Sequence, residues 1–366
     1  MNTFHFKKTI VLSFFSICLF TACNKGGSDS GGNSNGSTGN TGSTGNTGST
    51  GNTGSTGNNS TSTPPVTTAS YTVSLFAGSQ TGAIDGTGSA AGFKSPRCMT
   101  MDASGNLYVS DPFVNEIRKV TPAAVVTTIA TSANFTNVTG SMTIDPSGNI
   151  YIVENSINKI TPAGVITILG FNLANITCVA ADASGNVFVG TVNAVYKMNA
   201  AGNGVTALAG STQTTVTDGT GTAASFNNIG AMTVDLSGNI YVADLLNGSP
   251  IIRKITQAGV VTSITLKPGI IVGTNSAYGN GPPITGIAVD GSGNIYASDT
   301  GGNIILEISP SGTLTTLAGT GLTSPNNGPA TSAGFYFPMG IVVNSAGNLI
   351  YVADSENKTI RKITTP

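Results

Sequence analysis

The chain has 366 residues, of which only 8% are charged and 49 are glycine, and its formal net charge is −1. This balance leaves no strongly basic surface to neutralise phosphates, so nucleic-acid binding is not expected. Thr, Asn, Val and Ile are frequent beside the glycines. Such a composition favours strands joined by many turns over a helical protein.

Residues 1–22 are predicted to be a signal peptide. Lys7 and Lys8 precede an apolar stretch over residues 10–20, which is too short to form a stable membrane-spanning helix. The stretch leads into Leu19-Phe20-Thr21-Ala22-Cys23, which resembles a bacterial lipobox with Phe in the place where Leu is usual. We predict lipidation at Cys23 and therefore a membrane anchor. The alternative is an ordinary signal peptide cleaved nearby.

Residues 23–69 are predicted to be a lipidated Cys followed by a flexible tether. From Ser37 the unit Ser-Thr-Gly-Asn-Thr-Gly repeats three times in full, and no charge occurs between Asp29 and Asp85. Such a segment cannot bury apolar surface, so a flexible tether is expected. Asn24 follows Cys23 in place of the Asp associated with inner-membrane retention in some bacteria. By that analogy, the expected location is the cell envelope, and its outer membrane is favoured over the inner one.

Residues 70–366 repeat one phrase six times: a short apolar run, Asp or Asn, a Gly-Asn turn and a second apolar run. The six copies begin at Met99, Met142, Val179, Met232, Ile287 and Ile341. A period of roughly 40 to 50 residues with strands on both sides of a turn indicates radial or solenoid repetition. In the first copy, four strands are predicted over residues 98–102, 106–110, 116–121 and 124–130.

The two ends of the repeating region predict that it closes into a ring. The last unit ends at residues 361–366 and lacks a fourth strand, whereas residues 71–78 match the fourth strand at residues 313–319. An N-terminal strand that completes the last blade removes the open edges of a linear array. We therefore predict an all-β, six-bladed β-propeller with four-stranded blades, and we expect a monomer.

The phrases Gly-Ile-x-Val-Asp, Gly-Asn-x-Tyr-Val-x-Asp and Ile-Arg-Lys-Ile resemble those of the NHL repeat family of β-propellers. So does Asp85-Gly-Thr-Gly-Ser-Ala-Ala-Gly-Phe93, echoed over residues 218–226 and loosely over residues 328–335. The resemblance covers residues 71–366 and implies a propeller of NHL type. Members of that family serve as protein-interaction modules, RNA-binding modules or, in an amidating lyase, a metal-dependent enzyme, so the fold leaves function open.

Several repeated positions are predicted to serve the fold. Asp102 and its equivalents are expected to close hairpins through Asx hydrogen bonds, with Gly105 at positive φ. Tyr108 and its equivalents are expected to pack between blades. Cys98 and Cys178 lie at matching positions of non-adjacent units, too far apart for a disulfide. We interpret them as small buried residues, and a reactive thiol is the alternative.

The chain's one histidine is His5, within the predicted signal peptide. The mature chain therefore lacks the base of a Ser-His-Asp or Cys-His site and the imidazole ligands of zinc. The His-dependent amidating-lyase site of the family does not carry over to this chain. The chain also has no Trp to stack on sugars or bases.

A polar residue ends the second strand of each unit. Three units also have an arginine at a matching position of the third strand, Arg118, Arg253 or Arg361. An acid and an arginine on neighbouring strands are predicted to form an ion pair. The other three units have Asn158, Tyr196 or Leu306 instead. In unit order, the residues that end the second strands are Asp111, Glu154, Thr191, Asp244, Asp299 and Asp354.

Where the arginine is missing, Glu154 and Asp299 are expected to lack their partner. Acids at a channel mouth could hold a hard cation such as Ca²⁺ through oxygen, although they could equally be solvated loop residues. The two acids belong to opposite blades and are not expected to share one site. The other candidate residues for contacts on a binding face are Arg97, Thr191, Tyr196, Tyr278 and Tyr336.

The function that these features favour is a membrane-anchored lipoprotein that presents its propeller as a binding module to a protein or other macromolecule. Loops on one face of a rigid scaffold are where recognition usually resides. The alternative is a lactonase-like or lyase-like propeller enzyme with an acid-bound metal at the channel mouth. A purely structural envelope protein is the third reading.

Overall fold

The structure is a computed structural model that describes residues 71–78, 82–131, 141–154, 156–199, 201–246, 249–267 and 284–365. Cys23, the tether and Tyr278 lie outside the described residues, so what the sequence predicts for them stays a prediction. The described parts consist of strands, turns and three short 3₁₀ helices, at Gly88–Ala90, Pro112–Val114 and Gly221–Ala223. None of these helices is long enough to cross a membrane.

The first half of the ring follows two leading strands, β1 (Thr72–Ala77) and β2 (Gly86–Thr87). Blade 1 consists of β3 (Met99–Met101), β4 (Leu107–Asp111), β5 (Glu116–Val120) and β6 (Val125–Thr131). Blade 2 consists of β7 (Met142–Ile144), β8 (Ile150–Val153), β9 (Ile157–Ile160) and β10 (Ile166–Leu169). Blade 3 consists of β11 (Ile176–Ala181), β12 (Val187–Thr191), β13 (Ala194–Met198) and β14 (Val205–Gly210).

The second half begins with β15 (Gly219–Thr220). Blade 4 consists of β16 (Ala231–Val234), β17 (Ile240–Leu246), β18 (Ser249–Ile255) and β19 (Val260–Ile264). Blade 5 consists of β20 (Ile284–Val289), β21 (Ile295–Asp299), β22 (Ile304–Ile308) and β23 (Leu314–Ala318). After β24 (Gly328–Pro329), blade 6 contains β25 (Pro338–Val343), β26 (Leu349–Asp354) and β27 (Thr359–Thr364). The four strands of blade 1 confirm the predicted ones to within two residues at each end.

Each hairpin between the first two strands of a blade is closed by its repeated Asp or, in blade 6, by Asn344, as the sequence predicts. In blade 1 the carboxylate of Asp102 accepts hydrogen bonds from the backbone N–H groups of Ser104 and Asn106, both at 2.9 Å. Gly105 has a φ of +78°, which costs a glycine little. The Tyr108 hydroxyl donates to the other oxygen of the same carboxylate at 3.1 Å.

The six first strands form the inner ring. β3 contacts β7, and the contacts continue through β11, β16, β20 and β25 back to β3. The apolar core lies between neighbouring blades. Where blade 6 meets blade 1, Leu107 and Val109 share one buried cluster with Tyr351 and Ile360. Each blade therefore buries its faces only against its two neighbours, and a closed ring is required.

The N-terminal strand closes the ring, as predicted. β1 pairs antiparallel with β27 from Thr72 opposite Thr364 to Ala77 opposite Ile360. Val73 is 1% exposed and belongs to the same buried cluster as Ile363. β1 thus supplies the fourth strand of blade 6 and protects an edge that would otherwise be open.

We expect removal of residues 1–77 to abolish this closure, whereas removal of residues 1–69 leaves it intact. The chain without residues 1–77 exposes the edge of β27 and loses the buried side chains of Tyr71 and Val73. Its free energy of unfolding should fall by about 5 kcal/mol or more. Denaturant unfolding and gel filtration measure the effect. Equal stability of the two truncated chains would contradict closure by β1.

Candidate functional site

Two sets of connections share one end of the blades, because neighbouring strands are antiparallel. They join the second strand of a blade to its third, and the last strand of one blade to the first of the next. We call this end the loop face. Its described parts include residues 82–98, 112–115, 211–230, 319–337 and 355–358.

A buried arginine fixes the loop ahead of blade 4. Arg253 on β18 is fully buried, and its Nη2 donates to the Asp218 carboxylate of the loop at 2.8 Å. Its Nη1 donates to Asp244, at the loop-face end of β17, at 3.3 Å and to the Ser225 carbonyl oxygen at 3.2 Å. The guanidinium lies 5.0 Å from the ring centroid of Phe226. One side chain therefore joins the blade to its loop.

Blades 6 and 1 contain related clusters. Arg361 donates to Asp354 at 2.8 Å, which confirms the predicted pair, as in blade 4. The same prediction is wrong for blade 1, where Arg118 pairs with the loop acid Asp85 at 2.7 Å. Asp111 instead accepts two backbone N–H groups of the preceding loop, at 2.6 and 2.8 Å. Backbone N–H groups of the loop therefore bind the Asp111 carboxylate, which the sequence predicts to pair with Arg118.

The two acids around Arg253 have opposite pKa shifts. Burial raises the pKa of Asp244, although backbone N–H groups and Arg253 act in the other direction. Partial burial also acts to raise the pKa of Asp218, but hydrogen bonds from Ser263 and from Arg253 outweigh it and hold the pKa below the usual value. The loop acid is therefore the one whose ionised form the folded protein favours.

The blades without an arginine use the same position differently. Thr191 is buried and bonds both backbone groups of Ala194 at 3.2 Å, so it closes its own turn. Asp299 is also buried and accepts the Gly302 N–H at 2.8 Å. The expectation that Asp299 loses its partner is therefore wrong. Glu154 keeps one partner, the side-chain amide of Asn158, at 3.0 Å.

Tyr196 lies away from the mouth of the ring. It stands across from Val189 in blade 3 and packs against the cluster between blades 2 and 3 that includes Tyr151. Tyr196 therefore contributes to packing between blades 2 and 3, whereas Thr191 closes a turn at the loop face.

Two candidates, Arg97 and Tyr336, belong to an exposed strip that the sequence did not reveal. The Arg97 guanidinium lies 5.3 Å from the ring centroid of Phe113, and Phe113 is 63% exposed. Tyr336 is 37% exposed and stacks on Phe337, with ring centroids 5.1 Å apart and an interplanar angle of 25°. We call Arg97, Phe113, Tyr336 and Phe337 the aromatic band.

Ser355 connects the two ends of the aromatic band. Its backbone N–H donates to the Phe337 carbonyl oxygen at 3.3 Å, and its hydroxyl donates to the Pro96 carbonyl oxygen. Phe337 itself has a φ of +52°, which is costly for a residue with a side chain. Its N–H donates to the Asn303 side chain of blade 5 at 3.0 Å. Contacts across blades 5, 6 and 1 thus fix this strip on the loop face.

Cys98 and Cys178 are buried free cysteines, as predicted. Burial raises the pKa of the Cys98 thiol to about 11 and that of the Cys178 thiol to about 12. Both stay protonated near neutral pH, and a thiol is a poor nucleophile. Among the described residues, no three His, Cys, Asp or Glu side chains converge as they would at a metal ion. Ca²⁺ binding therefore stays a prediction.

Comparison with known proteins identifies the class first, a propeller of NHL type. Residues 79–282 match the family of teneurin NHL domains, and residues 335–363 match the NHL repeat. Because the first match covers more than half of the chain, the protein belongs to the family of teneurin NHL domains. No curated protein matches the chain.

Solved structures share the fold at low sequence identity. An auxiliary nutrient binding protein from Bacteroides thetaiotaomicron is 17% identical with a TM-score of 0.61, over 81% of this chain and 76% of that one. A catalytically inactive histidine-to-alanine variant of virginiamycin B lyase from Staphylococcus aureus, with quinupristin, is 17% identical with a TM-score of 0.50, over 74% and 80%. A gluconolactonase from Xanthomonas campestris is 11% identical with a TM-score of 0.52, over 75% and 87%.

We expect Arg253→Met to lower the free energy of unfolding by about 3–5 kcal/mol, because it leaves buried carboxylate and carbonyl groups without their donor. Lys254→Met is the matched control. Its ammonium lies 5.5 Å from the Tyr241 ring centroid, a contact worth about 0.5–1 kcal/mol. Denaturant titration of both variants measures the difference, and equal losses would show that the arginine does not fix the loop.

We expect the stability difference between the wild type and Asp218→Asn to depend on pH. Because the folded-state pKa of Asp218 lies below its ordinary value of 3.8, its contribution is present above pH 3.8 and is lost as the pH falls through the folded-state pKa. In blade 6 the corresponding partner of Arg361 is Asn327, at 2.9 Å, so Asn327→Asp should add the same dependence. Urea unfolding between about pH 2 and 6 measures both, and a difference that is constant over this range would refute the assignment.

Proposed function

We propose that this protein is a binding module of the cell envelope, anchored through Cys23 and recognising its partner with the loop face. The observation that carries the proposal is the aromatic band. Two exposed aromatic rings and a guanidinium lie on a rigid framework, and residues of these types dominate the energy of protein interfaces. The proposed partner is a protein or another macromolecule of the envelope.

The buried arginine clusters support the same conclusion, because they hold long loops in one conformation. A loop that is ordered before binding loses less conformational entropy when a partner arrives. The tether of residues 23–69 suits a domain held clear of a membrane, and we propose the outer membrane as its location. Among proteins of the same fold, the nutrient binding protein is consistent with a binding role.

The enzymes of the same fold do not extend the proposal to catalysis. The lyase variant that lacks a histidine is catalytically inactive, and the one histidine of this chain is His5, in the predicted signal peptide. The lactonase-like alternative would require a metal at the mouth of the ring. Asp299 is already bound within its own blade.

Photo-crosslinking in cells that produce the full chain tests the proposal. A photoreactive amino acid at position 113 or 336 is expected to form a discrete adduct, because both side chains project from the aromatic band. The matched control is position 236, where Leu236 is 72% exposed in a hairpin turn at the opposite face. Adducts in equal amounts from all three positions would contradict recognition by the loop face.

Two further variants test the separate parts of the proposal. Arg97→Ala should reduce the adduct formed from position 336, because Arg97 belongs to the same band. Cys23→Ser should move the chain from the membrane fraction to the soluble fraction, because no lipid is attached. A Cys23→Ser chain that stays in the membrane fraction would refute anchoring at Cys23. Recognition by the loop face would then depend on the crosslinking result alone.

A further inference from the structure

Blade 2 contains two buried oxygens at the position where three other blades hold a guanidinium. Asn158 occupies the place of the arginine on the third strand and is 1% exposed. Its amide donates to Glu154 Oε2 at 3.0 Å. Its own Oδ1 and Glu154 Oε1 are buried and have no hydrogen-bond donor among the described residues. Buried acceptors without a donor are costly, and one of these two belongs to a carboxylate.

The outer side of the blade is exposed next to Asn158. Ile168 on β10 stands directly across from Asn158 in the register of the sheet, and its side chain is 56% exposed. In blades 1 and 4 the residue across from the arginine is Thr128 or Ser263, which donates its hydroxyl to the loop acid. Blade 2 has an exposed isoleucine where those blades have a hydroxyl bonded to the loop acid.

Along the residues that the structure describes, the outer edge of blade 2 is also unpaired. In blades 1, 4 and 6 a fifth strand, β2, β15 or β24, pairs with the outermost strand. β10 has no such partner among the described residues. The Thr161 N–H bonds the Val165 carbonyl oxygen at 3.0 Å, so by antiparallel alternation the N–H of Ile168 points away from β9. The equivalent N–H of Ser263 in blade 4 donates to Asp218 at 3.0 Å.

We propose that blade 2 is a docking socket for an extended polypeptide segment, which adds to the edge of β10 and places an arginine side chain against Glu154 and Asn158. The socket is defined by Glu154, Asn158 and Ile168 alone. Strand addition supplies a carbonyl oxygen for the free N–H of the edge, Ile168 packs on the segment, and the guanidinium donates to the two buried oxygens. The occupant reproduces what Arg118, Arg253 and Arg361 do within their own blades.

Charge supports an arginine rather than a neutral side chain. Burial disfavours the ionised form of Glu154 and raises its pKa, since the hydrogen bond from Asn158 only partly opposes this. A cation beside the carboxylate favours the ionised form again. A planar guanidinium presents several donors and matches a carboxylate and a neighbouring amide oxygen at once. The socket lies in blade 2 and the aromatic band lies across blades 6 and 1, so the two proposals stand or fall separately.

Calorimetric titration of the full chain with the capped peptide Val-Thr-Arg-Thr-Val tests the socket. The matched probe replaces arginine by citrulline, which keeps the shape and removes the charge. We expect the citrulline peptide to bind at least about tenfold more weakly, and Glu154→Gln to weaken the arginine peptide by a similar factor. Asn158→Arg should abolish binding and raise the melting temperature, because the chain then fills its own socket.

Glu356→Gln is the control variant, since it removes a carboxylate from the equivalent turn of blade 6, where Arg361 already fills the site. It should leave peptide binding unchanged. If Asn158→Arg does not fold, the weaker binding of the citrulline peptide and the weaker binding by Glu154→Gln still test the proposal. Equal binding of the two peptides overturns the proposal. Stabilisation by Ca²⁺ alone that is lost in Glu154→Gln also overturns it, because the occupant is then a metal ion. Self-association that is lost in Glu154→Gln overturns it as well, because the occupant is then a second copy of the chain.

Discussion

The architecture depends on the fact that no blade can bury both of its faces alone. Each blade's apolar side chains pack against those of its neighbours, so that Leu107 of blade 1 and Tyr351 of blade 6 share one buried cluster. An array of such units is stable only when every face is covered. The pairing of β1 with β27 joins the last blade to the N-terminal strand. Burial between blades then becomes continuous around the ring.

The buried arginines add order to this framework rather than a catalytic site. A buried ion pair is weak evidence for stability by itself, because desolvation offsets much of the attraction. Arg253 bonds groups on both the blade and the loop, so its main effect is to select one loop conformation. The loop face can therefore present Tyr336 and Phe113 at fixed positions. That rigidity connects the internal chemistry of the blades with the proposed binding role.

The three blades without the arginine differ in whether their own residues satisfy the changed position. Blades 3 and 5 satisfy the changed position internally, through Thr191 and through Asp299. In blade 2, by contrast, Glu154 and Asn158 keep acceptor oxygens without a donor among the described residues, beside an exposed Ile168. In three blades an arginine of the chain itself fills this position, and in blade 2 we propose that an arginine of a bound segment fills it.

The sequence by itself determined the strands, the hairpin turns and the closure, because these depend on local chemistry that each repeat states again. Asp102 and Gly105 predict their turn without reference to any distant residue. Partners across the loops could not be predicted in this way. Asp85 lies 33 residues before Arg118, and only the folded loop decides that it, and not Asp111, takes the guanidinium. The aromatic band was missed for the same reason, since Phe113 and Tyr336 come from different blades. Tertiary structure decides such sites because they depend on which loops meet, and that follows from how the ring closes.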